Sequence, residues 1–439
     1  MVATADASRI DGTYAKVMSA SRRQAIWPIA ILVLIFGYLT YAYIEFDVGA
    51  LLGESRLERG VILATDSYAY KVHVERDFVD GETEFSIEGQ RNTRFDGPPE
   101  WVTLDANDDL DIDLGDGYRI TVSGRTTTFF SPDWPPIVAE SNGEGVTVEG
   151  PIPEWARVSE KKFEARPELF KRVQVLRNSV EVHRYFVGWE NFWFEFSSPL
   201  HGISGAQLWN MALHEPRIDP ERPNVAYIAN EFWNNSEWQH GDVFIALIET
   251  VIMAFLGTAL AAMFGLPLAF LAAKNFNPFA IGRFALRRLF DFLRGIDSLI
   301  WSLVFIRAFG LGPLSGIMAI FFTDTGTLGK LFSEAIENID NKQVEGVQST
   351  GARPVQRYRF GVIPQILPVF ISQSLYYLES NTRSATVIGA LGAGGIGLKL
   401  VETLRTGRDW ENTLYIITLT VIVVFAMDIF SGWLRRRLI

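Results

Sequence analysis

Twenty consecutive residues, AIWPIAILVLIFGYLTYAYI (25–44), carry no charge. At about 1.5 Å rise per residue, a helix of that length spans about 30 Å, the thickness of the hydrocarbon layer of a bilayer. The apolar core is too long for a cleaved signal peptide and no A-x-A site follows it, so the helix is expected to be retained. Arg22 and Arg23 bound one end, Glu45 and Asp47 the other. A second long apolar run begins near Gly241 and continues to Lys274, with Gly265 and Pro267 near its end. It exceeds the length of one span, so tilt or a kink is expected.

The charges divide along the chain. From Glu45 to Glu237 there are 35 acidic and 18 basic residues, a net of −17, whereas the whole chain carries −11. The excess of basic residues lies in short segments between apolar runs: Arg283, Arg287, Arg288 and Arg294; Lys342, Arg353, Arg357 and Arg359; and Arg435 to Arg437. By the positive-inside rule these segments, the basic tail 1–24 (Arg9, Lys16, Arg22, Arg23) and both termini face the cytoplasm. Further runs at 295–312, 314–333, 361–380 and 412–434 give an even count of six spans. The run 314–333 is interrupted by Asp324 and Lys330, which fits a span whose polar residues face protein.

Residues 45–237 read as an acidic extracytoplasmic domain. VILATDSYAYKVHVE, TEFSIEGQ, YRITVSGRTTTFF and GVTVEG alternate and are β-branched, predicting a small β-rich domain over about 55–150. DANDDLDIDLGDG (105–117) lacks the ligand order of an EF-hand and reads as a solvated acidic turn. Residues 155–185 read as helical and mixed in charge. The aromatic stretch RYFVGWENFWFEFSSPLHG (184–202) is either core or a membrane-interface belt, and the membrane segment after it favours the interface. Cysteine is absent, and the five histidines form no HxxxH or HExxH pair, so no disulfide framework and no metal site are expected.

The stretch EGVQSTGARPVQRYRFGVIPQILP (345–368) is polar and basic between two apolar runs. A short helix over about 336–350, ended by Gly351 and stopped by Pro354, would stand out from the membrane as a rigid knob. Glu345, Gly351, Ile363 and Pro364 resemble the EAA loop of ABC-importer permeases. Gly346 and Val347 depart from its two alanines, and Gly361 replaces its first apolar residue. Thr350 and Ala352 flank the glycine. The stretch from about 230 onward, above all RSATVIGALGAGGIG (383–397), is similar to phosphonate ABC transporter permeases, and methionine importers share parts of it.

The resemblance implies a mainly α, polytopic membrane protein of the ABC type I importer permease fold. It has about six transmembrane helices, with the β-rich domain between the first and the second. The expected parts are a tail (1–24), a first helix (25–44), the acidic domain (45–237) and a five-helix permease domain (238–439) with its coupling loop at about 334–364. No G-x-x-x-x-G-K-[ST] occurs, so ATP and Mg would be bound by a partner ATPase and not by this chain. The other implied partners are an extracytoplasmic phosphonate-binding protein, a second copy of the chain and membrane lipid, with no nucleic acid. The implied place is the bacterial inner membrane. A methionine importer of the same build and a membrane-anchored ligand sensor are the alternatives.

Glu379 and Arg383 stand four apart and share a helix face, so they pair either as a structural bridge or as part of a polar translocation path with Asn381. Arg383 is the guanidinium that would attract a phosphonate dianion, with Arg307 a weaker candidate. Gly392, Gly394, Gly395 and Gly397 spell G-x-G-x-x-G. Behind a membrane helix, with no βαβ unit, they suggest close helix packing at an outer gate instead of a dinucleotide site. No catalytic constellation is present, and the chain is expected to be a transporter subunit, not an enzyme.

Overall fold

The computed structural model describes residues 27–53, 57–90, 93–106 and 108–439. The expected basic tail 1–24 lies outside the described residues. The chain divides into two compact units, residues 1–62 and 63–439. The first unit holds α1 (Trp27–Glu45), 19 residues and apolar enough to cross a membrane, and the short α2 (Val48–Gly53). The helix α3 (Leu57–Tyr68) leads into the second unit. The strand expected from residue 61 therefore begins only at Ala69.

Among the described residues twelve strands form two six-stranded antiparallel sheets. The strands are β1 (Ala69–Asp77), β2 (Thr83–Ile87), β3 (Val102–Leu104), β4 (Leu110–Gly115), β5 (Tyr118–Ser123), β6 (Thr126–Ser131), β7 (Trp134–Ser141), β8 (Val146–Glu149), β9 (Ala156–Ser159), β10 (Lys162–Glu168), β11 (Lys171–Leu176) and β12 (Ser179–Val187). One sheet is the meander β3 to β8, and the other runs β2-β1-β12-β11-β10-β9. Their inner faces share one core, in which Ile112, Ile120, Phe129 and Ile137 of the meander meet Phe163, Val173, Val175 and Val182 of the other sheet. The domain is thus a β-sandwich.

The helix expected over 155–185 is a correction: this stretch is β9 to β12. In Lys162-Phe163-Glu164-Ala165 the apolar residues point inward and the charged ones outward, a period of two. Phe163 and Ala165 are fully buried, while Glu164 pairs outward with Arg172 at 2.9 Å. The acidic turn also finds cations, since Asp108 pairs with Arg76 and Asp111 with Arg119.

Beyond the sandwich lie α4 (Gly205–Leu213), α5 (Asn224–Trp233), α6 (His240–Ala272), α7 (Ala280–Gly295), α8 (Ser298–Phe309), α9 (Pro313–Glu337), α10 (Asn341–Ser349), α11 (Pro354–Arg357), α12 (Ile363–Ile388), α13 (Gly395–Thr406) and α14 (Trp410–Leu438). Among the described residues three helices are long and apolar enough to cross a membrane: α1, α6 and α14. The continuous helical stretch 354–393, bent by 58° against α13, makes a fourth if the pair counts as one span. The expected runs at 295–312 and 314–333 are α8 and α9. α8 has only 12 residues, and α9 has 25 but carries Asp324, Lys330, Glu334 and Glu337.

α6, 33 residues long, packs along α9 through small residues. Ala254, Ala261 and Ala269 are fully buried, and a Cβ on Gly257 would come within 2.7 Å of Ile320. Such contacts let two backbones approach closely where lipid supplies no hydrophobic drive for association.

The aromatic stretch after β12 splits between the two readings offered by the sequence. Trp189 and Phe192 join Trp238, His240 and Tyr415 in one packed knot over the start of α6 and α14. His240 holds it through the Phe192 carbonyl at 2.7 Å and the Tyr415 hydroxyl at 2.8 Å. Trp193 beside it is 65% exposed.

Candidate functional site

Between α9 and α12 the chain builds a hairpin. α9 ends at Glu337, and Asp340 caps a separate helix α10 by accepting from the Lys342 amide at 2.9 Å. The knob helix expected over 336–350 is therefore shorter and begins at Asn341. Gly351 stands at φ +78°, a conformation open to glycine, and turns the chain away from α10. Pro354, expected to stop the knob helix, does not: α10 already ends at Ser349, and Pro354 opens the first turn of α11, where its missing N–H costs nothing. From there the backbone runs through a wide, π-type turn at Tyr358–Val362 into α12, with Ile363 and Pro364 in the first turn.

The hairpin is braced at its base and open at its tip. Gln365 accepts from the Asp340 amide at 2.8 Å and donates to the Gly361 carbonyl at 2.6 Å. A Cβ on Gly361 would stand 3.2 Å from the Val344 Cα, so this glycine lets α10 lie against the foot of α12. α10 has no buried residue. Glu345 is exposed, and among the described residues its carboxylate has no partner. Gly346 faces open space, Thr350 donates to the Val347 carbonyl at 2.7 Å, and Ala352 is half-buried. Val355 and Phe360 expose 75% and 60% of their surface beside it. α10 is thus a polar helix with exposed apolar side chains beside it.

The second group of predicted residues separates into three environments. Glu379 and Arg383 pair at 3.4 Å, with the Arg383 side chain well exposed. Asn381 turns the other way and is buried, donating to the Thr258 hydroxyl at 2.7 Å and to the Asp324 carboxylate. This three-helix junction of α6, α9 and α12 was not read from the sequence, where Asp324 stood out only as an interruption. Gly392 and Gly394, at φ +112° and +83°, make the break between α12 and α13. Gly312 donates to the Gly392 carbonyl at 3.2 Å, Glu249 accepts from the Gly395 amide at 3.1 Å, and Thr250 from the Ile396 amide at 2.9 Å. A carboxylate and a hydroxyl of α6 thus cap the positive end of α13. A Cβ on Gly397 would collide with the Thr386 carbonyl oxygen. A Cβ on Gly395 would likewise come within 2.5 Å of the Thr250 hydroxyl, so this segment lies close against its neighbours.

A bundle of apolar helices, packed in part through small residues and carrying a polar hairpin between α9 and α12, is the architecture of a polytopic membrane protein, and similarity to known proteins assigns it to the permease class. The family described as binding-protein-dependent transport system inner membrane component matches residues 265–439. The chain is 36% identical over 215 residues to the phosphite transport system permease protein PtxC of Stutzerimonas stutzeri, covering 49% of this chain and 78% of that one. It is 37% identical over 192 residues to the phosphate-import permease protein PhnE of Mycolicibacterium smegmatis, covering 44% of this chain and 36% of the relative. It is 45% identical over 123 residues to a putative cryptic phosphonate transport system permease protein of Escherichia coli, PhnE2, covering 28% of this chain and all of the relative. The chain belongs to the family of binding-protein-dependent inner membrane components, the permease subunits of ABC importers.

Proposed function

We propose that this permease subunit works in an ATP-driven importer of phosphonate or a related phosphorus oxyanion such as phosphite, fed by an extracytoplasmic binding protein. The substrate class is supported by the relatives, whose names refer to phosphite, phosphate and phosphonate. The coupling role rests on one observation above the others: the exposed helix α10, with Glu345 unpartnered, stands between two long helices and ends on the glycine of the EAA-like pattern.

In this reading α10 sits on the cytoplasmic side and docks in a groove of a separate ATPase chain, which binds ATP and Mg. A second copy of the permease completes the pathway, and both termini face the cytoplasm. ATP closes the ATPase pair and draws the two α10 helices together. Because α10 is braced through Gln365 and Gly361, its displacement passes to α12. At the far end of α12 the glycine-built break opens or closes access for the solute. Arg383 offers a guanidinium that matches phosphoryl oxygens in pairs. The β-sandwich faces outward on this topology, where the binding protein arrives.

The test is uptake of labelled phosphite and methylphosphonate by cells carrying the chain, its ATPase and its binding protein. Glu345→Lys and Gly351→Asp are expected to abolish uptake while the amount of protein in the membrane is unchanged. Normal uptake by both variants contradicts the coupling role. Failure of the unsubstituted system to take up either solute contradicts the substrate class.

A further inference from the structure

α4 and α5 form a helical hairpin whose apolar sides face one another but do not close. Trp193, Leu208, Trp209, Val225, Ile228 and Phe232 line an open groove that carries no charged residue. Trp209 is 69% exposed, Val225 55% and Leu213 55%, and α4 buries none of its residues. In water such a surface is costly, at about 25 cal/mol per Å² of apolar area. The hairpin is nonetheless rigidly built. Ser204 and Gln207 cap α4 reciprocally, and Asn224 ties the start of α5 to the Met211 carbonyl at 2.7 Å and the Pro216 carbonyl at 3.0 Å.

Next to the groove, α5 ends against the exposed apolar face of α6. Trp233, the last residue of α5, lies against Gly241, where a Cβ would come within 2.6 Å of its indole nitrogen. Its ring stands 5.4 Å from that of Phe244. From Phe244 the exposed apolar face runs on through Ile245, Ile248, Ile252 and Phe255 along a helix long enough to span the bilayer. At the opposite end, the loop between α4 and α5 is charged, with Glu215, Arg217, Asp219, Glu221 and Arg222. Indole rings gather where the bilayer meets water, with an apolar body in the acyl region and an N–H near the headgroups. The hairpin thus sets a charged loop at one end and, at the other, apolar and indole side chains beside the exposed face of a helix long enough to span the bilayer.

We propose that the α4–α5 hairpin is an interfacial membrane element and that its groove holds a phospholipid acyl chain in the leaflet bordering the N-terminus of α6. The region between the first span and α6 then contains a sandwich bathed in water followed by a segment seated in the bilayer.

The chain has no cysteine, so single substitutions provide unique labelling sites. Trp209→Cys and Ala229→Cys place a nitroxide in the groove, and Lys161→Cys places one on the exposed sandwich. The full chain in phosphatidylcholine–phosphatidylglycerol liposomes is read for collision with oxygen, which partitions into lipid, and with nickel-EDTA-diacetate, which stays in water. The expected result is an oxygen-to-nickel accessibility ratio above one at 209 and 229 and below one at 161. A ratio below one at 209 and 229 shows an aqueous groove and overturns the proposal. Low accessibility to both reagents shows a protein partner, such as a second copy, and overturns it equally. Ala229→Cys adds little to an exposed position, so the test survives if the tryptophan variant fails to fold.

Discussion

The sandwich and the helix α6 of the bundle are packed by different rules. In the sandwich most of the buried core residues are large, with Ile112, Phe129, Phe163 and Val173 inside. Along α6 most of the buried residues are small, with Ala254, Gly257, Ala261, Gly265 and Ala269 inside and Phe244, Ile252, Phe255 and Phe264 outside, and α9 meets them with larger side chains such as Ile320, Leu328 and Phe332. Water drives large apolar side chains into a core, whereas lipid leaves them where they are and rewards close backbone contact and internal hydrogen bonds. α6 therefore displays much of its bulk where the sandwich buries it. The bundle adds to its apolar packing buried hydrogen bonds from Asn381 to Thr258 and Asp324.

The largest effect that sharpens this contrast is expected at Gly397. Gly397→Val inserts a side chain into the Thr386 carbonyl and should cost more than about 4 kcal/mol, removing the folded bundle. Protease digestion of membranes should show cleavage within α12 and α13. Persistence of the native pattern would mean that small-residue packing is not what holds this end of the bundle. Phe129→Ala should cost the sandwich about 3–5 kcal/mol. Faster hydrogen exchange in the strands, with the helices unaltered, is the expected signature. Equal loss of protection in both regions would show that they share one cooperative core.

Asp324→Ala leaves the buried Asn381 amide short of an acceptor, at a cost of about 1–3 kcal/mol. Asp324→Asn keeps an acceptor oxygen and should recover most of it, measured by unfolding in lipid bicelles. A neutral alanine variant would place the bundle's stability in packing alone.

The smallest effect is one of pH. His183 is buried in the sandwich, and burial, followed by the charges of His73, Arg172, Lys71 and Arg166, lowers its pKa well below 6.5. The unfolded chain takes up a proton on this histidine below pH 6.5 while the folded sandwich does not. Stability from this group is therefore complete above pH 6.5 and falls as pH drops toward the lowered value. The slope is at most about 1.4 kcal/mol per pH unit. Exchange rates of β12 at pH 7 and pH 5, compared with those of His183→Asn, should show the slope in the unsubstituted chain only.

How much of this the sequence disclosed follows the same division. The apolar runs at 25–44, 241–274 and 412–434 were legible because lipid demands unbroken hydrophobicity over a known length. The hairpin around Glu345 and Gly351 was legible as polar sequence in an apolar setting. Strands β9 to β12 were hidden because charges at every second position resemble a mixed helix until the opposing sheet shows which face is covered. The Asp324–Asn381–Thr258 junction joins residues 57 and 123 positions apart and left no local signal. The start of α10 depended on the Asp340 cap, and capping residues are too common to mark one boundary by themselves.

The most direct test of the account is a photo-cross-link from the tip of α10. With no other cysteine in the chain, Glu345→Cys can carry a benzophenone maleimide in membranes that also contain the ATPase and the binding protein. The account predicts an adduct between position 345 and the ATPase subunit, lost when Gly351→Asp is added. An adduct with the binding protein, or labelling of position 345 from outside intact cells by an impermeant maleimide, would contradict it.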